Sequence, residues 1–167
     1  MAEPLDPSLG VGPIVRMKGR GRTNTNAKED EMETTWAAKL DHPKEVELRP
    51  VEEGRRGLRA GDIMLYPNGR VVDDLIKTIP AGQQTTQKEL RTALAKRFDA
   101  DITCPVTTRR ALNTVVEAAY ESAQSGTPID EVTPVWRVAD LTPPMLKRLS
   151  FDPDVLLAQR TREGLPT

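Results

Sequence analysis

The chain has 167 residues, 37% of them apolar and 29% charged, and its formal net charge at pH 7 is −1. That length and apolar content predict one domain of ordinary size with a tail, and they argue against two domains with separate cores. The sequence contains no long uncharged apolar run and no basic start followed by an apolar block. We therefore expect neither a membrane span nor a signal peptide, and a cytoplasmic protein.

Cysteine and histidine each occur once, as Cys104 and His42. One cysteine cannot form an internal disulfide, which fits a reducing compartment, and it excludes a cysteine-rich zinc site. With one histidine, the chain cannot form a metal centre with two histidine ligands, and it cannot combine a serine–histidine triad with a second histidine site. The sequence therefore predicts no metal ion and no cofactor.

Residues 1–35 contain no sustained apolar period and predict a flexible tail that is first basic and then acidic. Five basic residues and no acidic one occur from Arg16 to Lys28. Within this run, Lys18 to Arg22 contains an Arg-Gly-Arg core similar to that of AT-hooks, whose arginines enter the minor groove of A·T-rich DNA. A solvated basic linker is the alternative interpretation, because the flanking prolines of that motif are missing.

Residues 36–68 are expected to pack on the core as short strands and a linker. Trp36 to Leu40 is expected to dock the tail. Glu45 to Leu48 alternates like a strand, Ile63 to Tyr66 is a second short apolar run, and together they predict a small sheet. Pro67-Asn68-Gly69 then predicts a turn.

Residues 69–167 show the periodicity of several helices. The first helix carries apolar residues at helical spacing from Val71 to Ile79 and ends at Pro80. Thr86-x-x-Glu89 has the form of a capping box, so a second helix is predicted from about Gln87 to Phe98.

The third helix is predicted to start near Pro105, since proline is tolerated in the first turn of a helix. Its buried stripe is predicted at Leu112, Val115, Val116 and Ala119. The opposite face then carries Arg110, Thr114, Glu117 and Glu121. A recognition helix would contact the bases of DNA with this face. A last helix is predicted from Pro153 to about Glu163, after a loop with Trp136 in a strand followed by a wing.

Residues 133–138, Thr-Pro-Val-Trp-Arg-Val, resemble the Pro-Cys-His-Arg-Val active-site motif of the methylated-DNA cysteine methyltransferases. Val135 stands at the position of the nucleophilic cysteine, and Trp136 at that of the histidine. Neither valine nor indole forms the activated nucleophile that alkyl transfer needs. Three further segments resemble motifs of this family in the same order: Ile79-Pro80-Ala81-Gly82, Arg110-Ala111-Leu112 and Arg162-Glu163-Gly164.

The resemblance covers roughly residues 69 to 165 and implies a mainly α fold with a few short strands. Residues 69–167 would form a winged helix-turn-helix-like domain of the DNA alkyltransferase C-terminal type. The resemblance points to the alkyltransferase-like branch, which recognises O6-alkylguanine by nucleotide flipping and transfers no alkyl group. Double-stranded DNA and a repair protein are the implied partners of an expected monomer, which would associate with the nucleoid in a bacterium.

The resemblance also implies roles for single residues. Arg110 would enter the duplex from the minor groove and fill the space of the flipped nucleotide, and Arg109 would do so if the register shifts by one. The flipped base would lie against Trp136, in a pocket with Val135 and the loop-holding Arg137. Polar and basic residues near two helix starts would contact DNA: Thr85, Thr86, Gln87, Lys88, Arg91 and Thr114.

Two departures from the family pattern concern close contact with DNA. Gln87 stands where the family has a tyrosine that presses on a phosphate, and Asn113 with Thr114 replaces small glycines. Two other functions therefore stay open. One is an enzyme, either a Cys104 alkyl acceptor beside a helix start or a base-processing activity that uses carboxylates such as Glu117. The other is a protein-interaction module that kept the helical fold and lost DNA binding.

Overall fold

Apolar residues at helical spacing place the longest helix, Pro105–Gln124, at the centre of the core. Its buried stripe contains Leu112, Val115 and Val116, which are fully enclosed. Pro105 begins this helix because a backbone nitrogen in the first turn needs no partner within the helix. The predicted start and the predicted buried stripe are confirmed.

The computed structural model of the protein describes residues 35–41, 44–54, 57–141 and 143–167. The predicted tail, with its Arg-Gly-Arg segment, lies outside the described residues except for Thr35. Residues Thr34–Thr167 belong to one compact unit, which includes both predicted segments after the tail. The described part contains six α-helices: α1 Trp36–Asp41, α2 Gly69–Lys77, α3 Gln87–Arg97, α4 Pro105–Gln124, α5 Pro143–Leu146 and α6 Asp154–Arg162.

Three short strands form one sheet, with β2 in the middle: β1 Glu47–Pro50, β2 Ile63–Tyr66 and β3 Ile102–Thr103. β1 and β2 are antiparallel, with Leu48 opposite Leu65, so the predicted pairing is confirmed. β3 joins β2 in parallel, with Thr103 opposite Leu65. About half of the described residues are helical, and the fold is therefore mixed α/β.

Side-chain caps set the starts of α2 and α3. The amide of Val71 donates a hydrogen bond to the side chain of Asn68 at 3.1 Å, so the predicted turn at this position is a helix cap. Thr86 and Glu89 form the predicted capping box, in which each side chain bonds to the backbone at the other residue. Such caps satisfy amide groups that lack a partner within the helix.

The face of α4 that the periodicity predicts to be open is largely covered. Helix α1 packs on it, and the amide of Ala37 donates to the carboxylate of Glu121 at 2.8 Å. The start of α2 also approaches closely, since a Cβ built on Gly69 would lie 3.7 Å from the side chain of Thr114. Glu117 is only 1% exposed, so its predicted outward position is wrong. Arg110 remains exposed on this helix.

Residues 129–138 form two short 3₁₀ turns, Ile129–Glu131 and Val135–Arg137, so the strand that the sequence predicts at Trp136 is wrong. Pro128 and Pro134 precede the two turns, and proline lacks the amide that a strand ladder needs. One parallel bridge between Thr85 and Val138 links the segment to the start of α3. The winged-helix type of the domain stays a prediction.

Helix α6 confirms the predicted last helix, with Pro153 and Glu163 as its caps. Helix α5 has no counterpart in the sequence prediction, because a single turn shows no periodic pattern. No helix in the described part of the chain is long and apolar enough to cross a membrane.

Glu117 is a buried carboxylate in the middle of α4. It accepts hydrogen bonds from the backbone amide of Ser150 at 2.7 Å and from the Ser150 hydroxyl at 2.5 Å. Because a buried carboxylate without partners is strongly destabilising, these bonds hold the loop between α5 and α6 against α4. Glu117 therefore has a structural position, not the accessible one that a base-processing carboxylate needs.

We expect Ser150→Ala to lower the free energy of unfolding by about 1–3 kcal/mol, because Glu117 then lacks a hydrogen bond in a buried site. Ser125→Ala is the matched control, since Ser125 is exposed and its hydroxyl bonds to a backbone carbonyl at the end of α4. That control should cost less than about 0.5 kcal/mol. Urea unfolding measures both, and equal losses would show that the contact with Glu117 adds no stability.

Candidate nucleic-acid interface

Three of the four motif segments meet at one ion pair. Arg137 donates from Nε and Nη2 to the carboxylate of Glu163, at 2.6 to 3.2 Å, and from Nη1 to the carbonyl of Ile79 at 2.5 Å. The amide of Gly82 donates to the same carboxylate at 3.2 Å. The structure thus brings the Ile-Pro-Ala-Gly turn, the Trp-Arg turn and the Glu-Gly end together, while Arg110-Ala111-Leu112 belongs to α4.

The Arg137 guanidinium is the main reason why the pKa of Glu163 falls from its ordinary value of 4.5 to about 2. Burial opposes this shift, and the amide of Gly82 adds to it. The indole N–H of Trp136 also lowers this pKa, although it is buried and makes no hydrogen bond of normal geometry. The Arg137 side chain is therefore committed to the ion pair and to the Ile79 carbonyl.

A second arginine, Arg160 of α6, is buried among neutral partners. It donates to the carbonyl of Trp136 at 2.6 Å, to the side chain of Gln84 at 2.7 Å, and to the carbonyl of Pro166. These bonds fix the chain end and the Trp136 turn to α6. The sequence does not single out Arg160, because its partners Trp136 and Gln84 lie 24 and 76 residues away.

The predicted base pocket is closed in this structure. Trp136 is 5% exposed, Val135 is 2% exposed, and both belong to the hydrophobic core. The cavity beside them measures about 30 Å³. A base reaches the Trp136 ring only if this part of the core opens.

Thr85, Thr86 and Gln87, the predicted phosphate contacts, already have partners within the protein. The amide of Thr86 donates to Glu89 at 2.7 Å, and the hydroxyls of both threonines reach the same carboxylate. The amide of Gln87 donates to Asp140 at 2.6 Å, and Gln87 is 8% exposed. Two carboxylates thus occupy this helix start, which corrects the expectation of free donors for phosphate there.

Lys88 and Arg91 lie on the outer side of α3, where they line a groove of about 460 Å³ with Lys96. The groove extends to Pro105 at the start of α4, and Asp101 is the one carboxylate among its described lining residues. The three cations form no ion pair with any described residue. This groove is therefore open to an anionic partner.

Arg109 and Arg110 are exposed and line a second cavity, of about 320 Å³, between α4 and α5. Arg148, which follows α5, and Asn113 of α4 complete its polar lining. No sequence motif marks Arg148, because its position depends on the packing of α5 near α4. A basic pair, Lys147-Arg148, is the one signal that the sequence offers.

The two cavities follow one face of α4. Pro105, Arg109 and Asn113 stand four residues apart, so they lie above one another along about 12 Å of helix. We define the basic strip as the cations that line these two cavities: Lys88, Arg91, Lys96, Arg109, Arg110 and Arg148. None of them forms an ion pair within the described ranges of the chain. Within the described residues, Asp101 is thus the one carboxylate that lines either cavity, against six cations.

Thr114 belongs to another groove. With Arg110 it lines a space of about 570 Å³ between α4, α1 and β1, whose walls carry lysine and arginine as well as Glu45 and Glu47. The Thr114 hydroxyl donates to the carbonyl of Arg110 in the same helix, at 3.3 Å. Thr114 thus lies outside the basic strip, whereas Arg110 stands between the two spaces.

Cys104 is half-buried at the start of α4 and lines none of these three cavities. Its carbonyl accepts a hydrogen bond from the Thr108 hydroxyl at 2.7 Å. His42 lies outside the described residues. Among the residues that the structure describes, no group of acids, histidines or cysteines is arranged to hold a metal ion.

Comparison of the chain with protein-family models, curated proteins and solved structures gives no match. The resemblance to the alkyltransferases thus stays a hypothesis drawn from the motifs. The case for a function depends on those motifs and on the geometry of the basic strip.

Glu163→Gln tests the ion pair at which the motif segments meet. Since the pKa of Glu163 is about 2 in the folded protein, the pair contributes stability above pH 4.5 and loses it as the pH falls through 2. At neutral pH we expect the variant to cost about 1–3 kcal/mol after solvent screening, and we expect this difference to vanish in strong acid. Urea unfolding across this pH range measures it.

Glu52→Gln is the matched control, because Glu52 is exposed and forms no ion pair with a described residue. It should change the free energy of unfolding by less than about 0.5 kcal/mol at any pH. A Glu163→Gln effect that is independent of pH, or no larger than that of the control, would contradict a stabilising ion pair.

Proposed function

We propose that this protein binds duplex DNA through the basic strip and carries out no covalent chemistry on it. The proposal rests on six cations, three on α3, two on α4 and one after α5, which have no ion-pair partner in the described part of the chain. Backbone phosphates would compensate these charges whatever the base sequence. The resemblance of the motif segments to a DNA-binding family supports the same function.

The net charge of −1 does not oppose this function. Affinity for phosphates depends on the cations that displace counterions at the contact, so a local cluster is sufficient. The α4 face between Pro105 and Asn113 is about 12 Å long, which corresponds to three or four phosphate intervals of one strand at about 3.4 Å each along the duplex axis. The basic strip therefore suits a stretch of backbone.

The sharper form of the proposal is recognition of O6-alkylguanine by nucleotide flipping. Arg110 supports it, since this side chain is exposed between two cavities and is free to enter a groove. A flipped base would need the Trp136 turn to move before it could stack on the indole ring. A damaged base unstacks and unpairs at a lower cost, which would favour that step.

Fluorescence anisotropy with a labelled duplex, at several salt concentrations, tests the proposal. We expect Arg109→Ala and Arg110→Ala each to weaken binding and to reduce the slope of log affinity against log salt by about 1. Arg162→Ala is the matched control, because it removes the same charge from an exposed site at the end of α6, outside the basic strip. If all three variants keep the wild-type slope, the strip does not bind the backbone.

A duplex with one O6-methylguanine tests the sharper form. We expect tighter binding than to the unmodified duplex, and we expect Arg110→Ala to remove that difference while Arg109→Ala keeps it, because one residue fills the vacated space. Equal binding to both duplexes would reduce the function to backbone binding. No binding to either would overturn the proposal and leave the protein-interaction module.

Intact mass spectrometry tests for alkyl transfer. Cys104 is half-buried and lies outside the three cavities, so we expect an unchanged mass after incubation with the O6-methylguanine duplex. A gain of one methyl group that disappears in Cys104→Ser would instead show an alkyl-acceptor enzyme.

A further inference from the structure

The cavity between α4 and α5 is lined by three arginines, by Asn113, and by the apolar residues Pro144 and Met145. No carboxylate is among its described lining residues. Three like charges around about 320 Å³ repel one another, although all three arginines are exposed and water screens that repulsion. An anion between the arginines would turn this repulsion into attraction.

We propose that this cavity is a phosphate clamp, in which Arg109 and Arg148 together bind one phosphate group, while Arg110 beside them stays free to enter the groove of the duplex. A guanidinium presents two parallel N–H donors that match two phosphate oxygens, so arginine suits this ligand better than lysine. The phosphate is assigned to a phosphodiester of the bound duplex. The assignment to DNA rests on the proposed function, whereas the binding of a phosphate group by arginine side chains does not depend on it.

Asn113 adds a neutral polar group to the same lining. Its Oδ1 is buried, has no hydrogen-bond partner in the described structure and is closed to solvent, so it does not reach the cavity. The other end of the amide, Nδ2, is a donor and can bond to a phosphate oxygen.

Helix α5 holds Arg148 beside the arginines of α4. The amide of Arg148 donates to the carbonyl of Met145 at 3.0 Å, and Met145 is itself buried in the core. An arginine on an anchored turn loses less conformational freedom on binding than one on a free loop. The clamp thus joins two elements that the core has already brought together.

Isothermal titration with inorganic pyrophosphate at low salt tests the clamp without DNA. We expect saturable binding that Arg148→Ala weakens by about tenfold or more, with Arg148→Lys in between because an ammonium group lacks the fork. Arg162→Ala, which removes a charge outside the clamp, should bind like the wild type. Since Arg148→Ala relieves repulsion, it should not lower the melting temperature of the free protein, which separates lost binding from lost folding.

Asn113→Ala is a second variant with a separate readout. We expect it to weaken pyrophosphate binding by about three- to tenfold through the loss of one donor. It should leave the melting temperature of the free protein unchanged or raise it, because it removes an unpaired buried atom. Wild-type pyrophosphate affinity in both Asn113→Ala and Arg148→Ala would overturn the clamp.

Duplex titrations with the same variants separate the clamp from the proposed function. If Arg148→Ala weakens duplex binding and lowers its salt slope by about 1, the phosphodiester is the ligand. If pyrophosphate binds through Arg148 and no duplex binds, the clamp takes a free phosphate and the proposed function fails. If the duplex binds equally to Arg148→Ala and Arg162→Ala, the clamp is overturned while DNA binding stands.

Discussion

The ion pair between Arg137 and Glu163 connects turns that are distant in sequence. One guanidinium reaches a carboxylate 26 residues further along and a carbonyl 58 residues back. Without it, the carbonyl of Ile79 and the amide of Gly82 would lose the side chains to which they bond. The low pKa of Glu163 reflects how strongly these contacts favour the charged form. Beside the pair, the amide of Thr85 donates to the Arg137 carbonyl at 2.8 Å, which adds a backbone bond between this turn and the segment before α3.

Other buried charges act in the same way. Asp73 of α2 accepts hydrogen bonds from Thr133 and from Lys77, each at 2.6 Å, and Glu117 holds Ser150. Each carboxylate ties a segment without regular structure to a helix, and such segments have few backbone bonds of their own. The interior therefore pairs its charges, whereas the basic strip leaves six cations unpaired within the described ranges. That contrast is the physical reason to look for a partner at the strip.

Local signals explain how much of this fold the sequence predicts. Capping at Thr86 and a proline at position 105 act within one helical turn, so the starts of α3 and α4 can be predicted. The partner of Gln87, in contrast, is Asp140, which lies 53 residues away. The position of Arg148 depends in the same way on how α5 packs near α4, and β3 depends on β2 beside it. Contacts of this kind leave no periodic pattern in a single sequence.

Trp136 is where stability and lesion recognition would compete. Its carbonyl accepts from Arg160, its ring lies in the core, and Arg137 beside it holds Glu163. Admitting a base would disturb these contacts together, so opening costs more than the rotation of one side chain. A weakened base stack supplies only part of that free energy. Phosphate contacts alone do not distinguish one base from another. Selectivity for damaged DNA therefore requires that duplex binding at the basic strip favour the open state of the Trp136 turn.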